Sequence, residues 1–126
     1  MKFHFIFFLL IITTFGCSKL NDNEKPVITI ISPSTNDTIP SSTSEVNLQF
    51  TATDDSALSS VILEINDLHG NNYFADSKAL YGKNYSYKNS FIVLKNNKLR
   101  ALVMKVILLD EAKNESVSST SFYLAP

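Results

Sequence analysis

The stretch that most constrains this chain is Glu45 to Thr53, in which apolar and polar residues alternate without a break. Val46, Leu48, Phe50 and Ala52 fall on one side of an extended backbone, and Glu45, Asn47, Gln49, Thr51 and Thr53 on the other. Successive side chains of a strand point to opposite faces, so this order predicts a strand with one face in a core and the other in water. Ser60 to Asn66 repeats the pattern after a turn at Asp54-Asp55-Ser56, placing Val61, Leu63 and Ile65 inward and Glu64 and Asn66 outward.

The remaining elements follow from the same reading. Val27 to Ile31 is a short β-branched run stopped by Ser32-Pro33, and Ser34 to Ser44 is a loop rich in Ser, Thr, Asn, Asp and Pro. Leu68 to Asn72 is a turn, and Tyr73 to Ala75 begins a short return strand. Asp76 to Asn84 has no period and reads as a loop. Tyr85 to Leu94 is a strand closed by Lys95-Asn96-Asn97-Lys98. Leu99 to Leu109 is apolar on both faces, interrupted only by Arg100 and Lys105. Such a run fits a buried helix or a central strand, and its β-branched content and flanking turns favour the strand. Asp110 to Asn114 turns the chain into a last strand, Glu115 to Leu124. About seven short strands with no helical pattern between them predict an all-β fold, an antiparallel β-sandwich.

The N-terminal run MKFHFIFFLLIITTFGCS has a basic start at Lys2, an unbroken apolar core from Phe5 to Ile12, and a small residue, Gly16, before the only cysteine, Cys17. This is the order of an export signal, and its apolar core is too short to span a bilayer. Eleven basic residues oppose twelve acidic ones, with no basic cluster, so the chain offers no electrostatic footprint for nucleic acid. One cysteine leaves no internal disulfide, and an exported domain must then hold together by its core alone.

A leader ending Thr14-Phe15-Gly16-Cys17 resembles the bacterial lipoprotein signal, in which the chain is cut before a cysteine that carries lipid. The resemblance implies a signal peptide over residues 1–16, a lipidated Cys17 with a tether over 17–25, and a domain over 26–126. Three further stretches, Lys25 to Ile30, Phe50 to Leu58 and Leu108 to Asn114, resemble bacterial immunoglobulin-like modules: a Pro-Val-initiated first strand, an Ala-Thr-Asp-Asp turn and an Asp-x-x-x-Asn turn, in this order. The pattern's Gly before the last Asn is Lys113 here. The whole is similar to small Bacteroidota lipoproteins carrying one such module. It implies an immunoglobulin-like sandwich whose tether, Asp54 turn and Asp110 turn share one pole.

Four sets of candidate site residues emerge. Asp54, Asp55, Asp110 and Glu111, with Asn114, supply hard oxygen ligands from two turns, the donor set that Ca²⁺ takes; the alternative is that Asp54 and Asp110 bond their own turn backbones. Ile62, Ala101, Val103, Ile107 and Leu109 form an outward apolar band, either an interface or a surface covered by residues 76–84 or a neighbouring strand. Tyr73, Phe74, Tyr81, Tyr85, Tyr87 and Phe91 are either a carbohydrate or protein platform or half-buried strand residues. Thr38 and Ser56 lie in Asp-Thr-Ile and Asp-Ser-Ala triplets that resemble the short Bacteroidota O-glycosylation motif.

No catalytic residues are assigned. Beyond the leader, His69 is the sole histidine, and no zinc spacing or phosphate-binding glycine loop occurs. The expected role is non-enzymatic: an exported, lipid-anchored binding, adhesion or structural module at the outer membrane, facing a glycan, a host protein or an envelope partner. It requires no cofactor, with calcium as the candidate ion. The alternative is a small metal-dependent or hydrolytic accessory enzyme of the envelope. Oligomeric state is left open by the sequence.

Overall fold

The computed structural model describes residues 22–94 and 97–126. The expected signal peptide, Cys17 and the tether as far as residue 21 lie outside the described residues, as do Lys95 and Asn96 of the expected turn.

Eight strands follow one another: β1 (Val27–Ser32), β2 (Thr38–Ile39), β3 (Glu45–Thr53), β4 (Leu58–Asp67), β5 (Asn72–Ala79), β6 (Asn84–Ile92), β7 (Arg100–Asp110) and β8 (Glu115–Leu124). They form two sheets, β1-β3-β6 and β2-β8-β7-β4-β5. Every pairing is antiparallel except that of β2 with β8. The β-sandwich expected from the alternation, in the immunoglobulin-like form that the resemblance implies, is the fold observed.

Two elements differ from the sequence reading. Residues 76–79 are not loop but the second half of β5, paired from Asn72 to Ala79 along the edge of β4. Its inward side chains are Phe74, Asp76 and Lys78, so an edge strand that meets the core mainly through one residue carries no apolar period. The second is β2, two residues inside the expected 34–44 loop, whose pairing with Tyr123 and Leu124 raises the strand count from seven to eight. A contact between residues 85 positions apart has no local signature.

The core is the space between the two apolar rows. Val46, Leu48, Phe50 and Ala52 of β3 face Val61, Leu63 and Ile65 of β4 and Leu102, Met104, Val106 and Leu108 of β7, all buried. Phe50 stacks on its register partner Tyr87 at 5.0 Å, and Phe91 meets Phe122 of the opposite sheet edge-on at 6.4 Å. Along the open edge between β5 and β6, Phe74 packs against Phe91 at 6.1 Å. There the Tyr87 hydroxyl donates to Asp76 Oδ2 at 2.8 Å and accepts from Asn89 Nδ2 at 3.1 Å. This bond joins the sheets where no covalent link does.

Alternating strand direction sets the two poles. Residues 22–26, 54–57, 80–83 and 110–114 gather at one, as expected for the tether and the two acidic turns, while 40–44, 68–71, 97–99 and the C-terminus lie at the other. Lys113, standing where the resemblance has Gly, adopts φ 74, so the turn keeps a left-handed residue although its side chain disfavours one.

Two outcomes are expected. Leu63→Ala, which empties a fully buried site, should cost about 3 kcal/mol in chemical denaturation, while Ile31→Ala on the exposed face of β1 should change stability by about 0.5 kcal/mol. Burial, offset in part by the Asn89 bond, pushes the Tyr87 hydroxyl from 10.0 up to about 12. Its proton is held more tightly folded than unfolded, so this contribution is complete below pH 10 and is lost as pH rises towards about 12. Tyr87→Phe should flatten that part of the alkaline unfolding profile.

Candidate functional site

Inward alternation does not stop at the last apolar residue of each strand. Ala52 is followed in phase by Asp54, and Leu108 by Asp110, which delivers both carboxylates to the axis of the tether pole. Asp110 is fully buried. Its Oδ1 accepts the Asn114 backbone N–H at 2.8 Å and its Oδ2 accepts the Asn114 side-chain amide at 2.7 Å. Asp54 Oδ1 accepts the Ser56 N–H at 2.8 Å and its hydroxyl at 3.3 Å. Both acids thus bond their own turns, as Asx residues do.

A third carboxylate completes the cluster. Asp22 of the tether brings one oxygen to a position where Asp22, Asp54 and Asp110 each offer an atom within 4.8 Å of the others. Asn114 fixes this approach by donating its side-chain amide to the Asp22 carbonyl at 3.1 Å, and Ser116 donates its hydroxyl to the Pro26 carbonyl. The second oxygens of Asp22 and Asp54 are buried and accept no hydrogen bond from any described residue. Three carboxylates at this separation concentrate negative charge at the tether pole.

The two other expected ligands fall out of phase. Asp55 and Glu111 line an open depression with Asp22, Asn23, Glu24, Ser56, Ala57 and Lys83, on the other side of the turns from half-buried Asp54 and buried Asp110. Hydrogen bonding with Asp54, then desolvation and the charges of Asp22, Glu24 and Asp54, raise Asp55 above the usual carboxylate range. The Ser56 hydroxyl and the Glu24 amide hold Asp22 below it. Asp22 is absent from the sequence-derived set because it lies 32 residues before Asp54 in a stretch without periodicity. The signal that could have found it is the Asp-x-Glu immediately ahead of the first strand.

The apolar band is found on the outer face of the larger sheet. Ile62 pairs with Ile107, and Ile107 with Val117, in one row across β4, β7 and β8. Ile62 is 40% exposed and Val117 52%, while Ala101, Val103, Ile107 and Leu109 are half-buried by their neighbours in the sheet. Residues 76–79 do not lie over this face, as one expectation had it; they extend the sheet edgeways through β5.

The aromatic stretch does not assemble into a platform. Tyr87 and Phe91 are in the core, Phe74 and Tyr85 pack against it, and exposed Tyr73 and Tyr81 sit towards opposite poles. His69 is a turn residue whose N–H bonds Asp67 Oδ1 at 2.8 Å. Thr38 is exposed on β2, whereas the Ser56 hydroxyl is half-buried and bonded to Asp54.

The sequence model for the family described as Bacterial Ig domain matches residues 26–100. No curated protein matches the chain. Among solved structures, the periplasmic chaperone SfaE aligns over 79% of this chain at 14% identity with a TM-score of 0.55. CopC from Methylosinus trichosporium OB3b aligns over 79% of this chain and 95% of its own at 18% identity and 0.48. The E. coli chaperone DraB aligns over 82% and 56% at 9% identity and 0.47. The chain spans 58% of the length of SfaE, and at 14% identity that likeness is one of fold.

Proposed function

The chain belongs to the bacterial Ig domain family, and from that membership we propose that it is a non-enzymatic binding or structural module of the bacterial envelope. In this reading Cys17 carries a lipid, the domain stands outside the cytoplasm, and Ca²⁺ at the tether pole fixes the domain on its anchor. The observation that carries it is the convergence of the tether with both acidic turns. Asn114 and Ser116 stitch residues 22–26 to the domain, so one pole is committed to attachment and the opposite pole is left for a glycan or protein ligand.

The donor set fits the ion. Calcium takes carboxylate oxygens at about 2.3–2.6 Å, so oxygens on opposite sides of one ion lie about 5 Å apart, and the three Asp oxygens are within 4.8 Å. Asp22, Asp54 and Asp110 are the residues that would hold it, with the orphaned oxygens of Asp22 and Asp54 gaining their missing partner. Bound there, the ion links the tether to both turns and removes a hinge.

Two experiments test this reading. Wild-type protein should fractionate with membranes and Cys17→Ser should not; a variant that stays with membranes removes the lipid anchor. Millimolar Ca²⁺ should raise the melting temperature by a few degrees, as expected for an extracellular-type affinity, and Asp22→Asn should abolish the rise. Absence of both calorimetric heat and a melting shift would remove the ion.

A further inference from the structure

We propose that the outer face of the five-stranded sheet is a homodimer interface, closed by a two-fold axis that runs parallel to the strands between β4 and β7. The face is apolar at its centre, where Ile62, Ile107 and exposed Val117 form a single row. The adjacent row carries one charge of each sign, Glu64 on β4 directly opposite Lys105 on β7. The side positions in these rows carry no long side chain: Ser77 and Ala75 on β5, and Val117 and Ser119 on β8. Over these two rows a second sheet can therefore approach to the spacing of stacked sheets, about 10 Å.

The occupant follows from the charge pattern. An axis along the strands keeps every row at its own height and exchanges β4 for β7. Glu64 of one copy then meets Lys105 of the other, twice, and Ile62 meets Ile107, also twice. The patch is thus complementary to itself, which is the requirement of an isologous interface. An axis perpendicular to the strands within the plane of the face would reverse the heights and set the two rows against the wrong partners. Orientation supports the same choice. The strand-parallel axis leaves both tethers at one end of the dimer, so two copies anchored in one membrane can form it without either domain inverting.

The test uses the full chain in detergent with micelles in excess, and in parallel the full-length Cys17→Ser protein, so that association through the sheet is read apart from lipid anchoring. Sedimentation velocity should give a dimer for both. Lys105→Glu places acid against acid across the axis and should reduce the mass by half with the melting profile still cooperative. Exchange of the pair, Glu64→Lys with Lys105→Glu, should restore the dimer. A monomeric wild type would overturn the interface, as would a dimer that survives Lys105→Glu or an exchanged pair that stays monomeric. If the exchanged pair alone fails to fold, Ile107→Glu supplies the second reading: a folded protein that is still dimeric overturns the proposal, and a folded monomer supports it.

Discussion

Burial of one apolar row from each sheet is the interaction on which the rest of this molecule depends. Phe50, Leu48, Leu63, Ile65, Leu102 and Met104 are essentially inaccessible, and each such side chain contributes about 1.5–3 kcal/mol when removed from water. Because side chains alternate, a slip of one residue in any strand would turn its whole row outward, so the same burial that stabilises the sandwich also sets the register. The Phe50–Tyr87 stack and the Tyr87–Asp76 bond extend that control to β6 and to the edge strand β5. No disulfide is needed to explain the closure of the two sheets in the described residues.

The acidic pole is a by-product of this register. Asp54 and Asp110 occupy the next inward positions beyond Ala52 and Leu108, so core packing carries them towards each other although neither belongs in an apolar interior. Asp55 and Glu111, one residue later, are carried outward for the same reason. Attachment of the tether then brings Asp22 over the pair, held by the Asn114 amide that also satisfies Asp110. The result is a group of carboxylates assembled by the fold and placed where the chain enters the domain.

β7 plays a double part. As the central strand of the larger sheet it is flanked by β4 and β8, so its outward residues are half-covered by neighbours within the sheet, with none of the described residues lying over them. The eleven-residue run is therefore apolar on both faces, one in the core and one on the outer side of the sheet. On that outer side Lys105 stands between Val103 and Ile107, which breaks the apolar area with a charge.

Most of the architecture was legible in local pattern. Period-two alternation in β3 and β4, the β-branched first strand, the turn clusters and the two-faced β7 each predict their own element, because a half-buried strand leaves its record within a few neighbouring residues. The pole shared by the tether and the turns at Asp54 and Asp110 came from the family resemblance, once its strands are run alternately up and down. Three features had no such record. β5 meets the core through Phe74 and little else, so its sequence lacks a period; β2 exists only through a partner 85 residues away; and Asp22 becomes part of the cluster only when the tether is bonded to Asn114. Sequence alone determined that this chain makes a two-faced β-sandwich, since alternation is a property of neighbours. Which acids converge, and which apolar face is left uncovered, only the tertiary structure decided, since both depend on strands far apart in the chain coming to lie side by side.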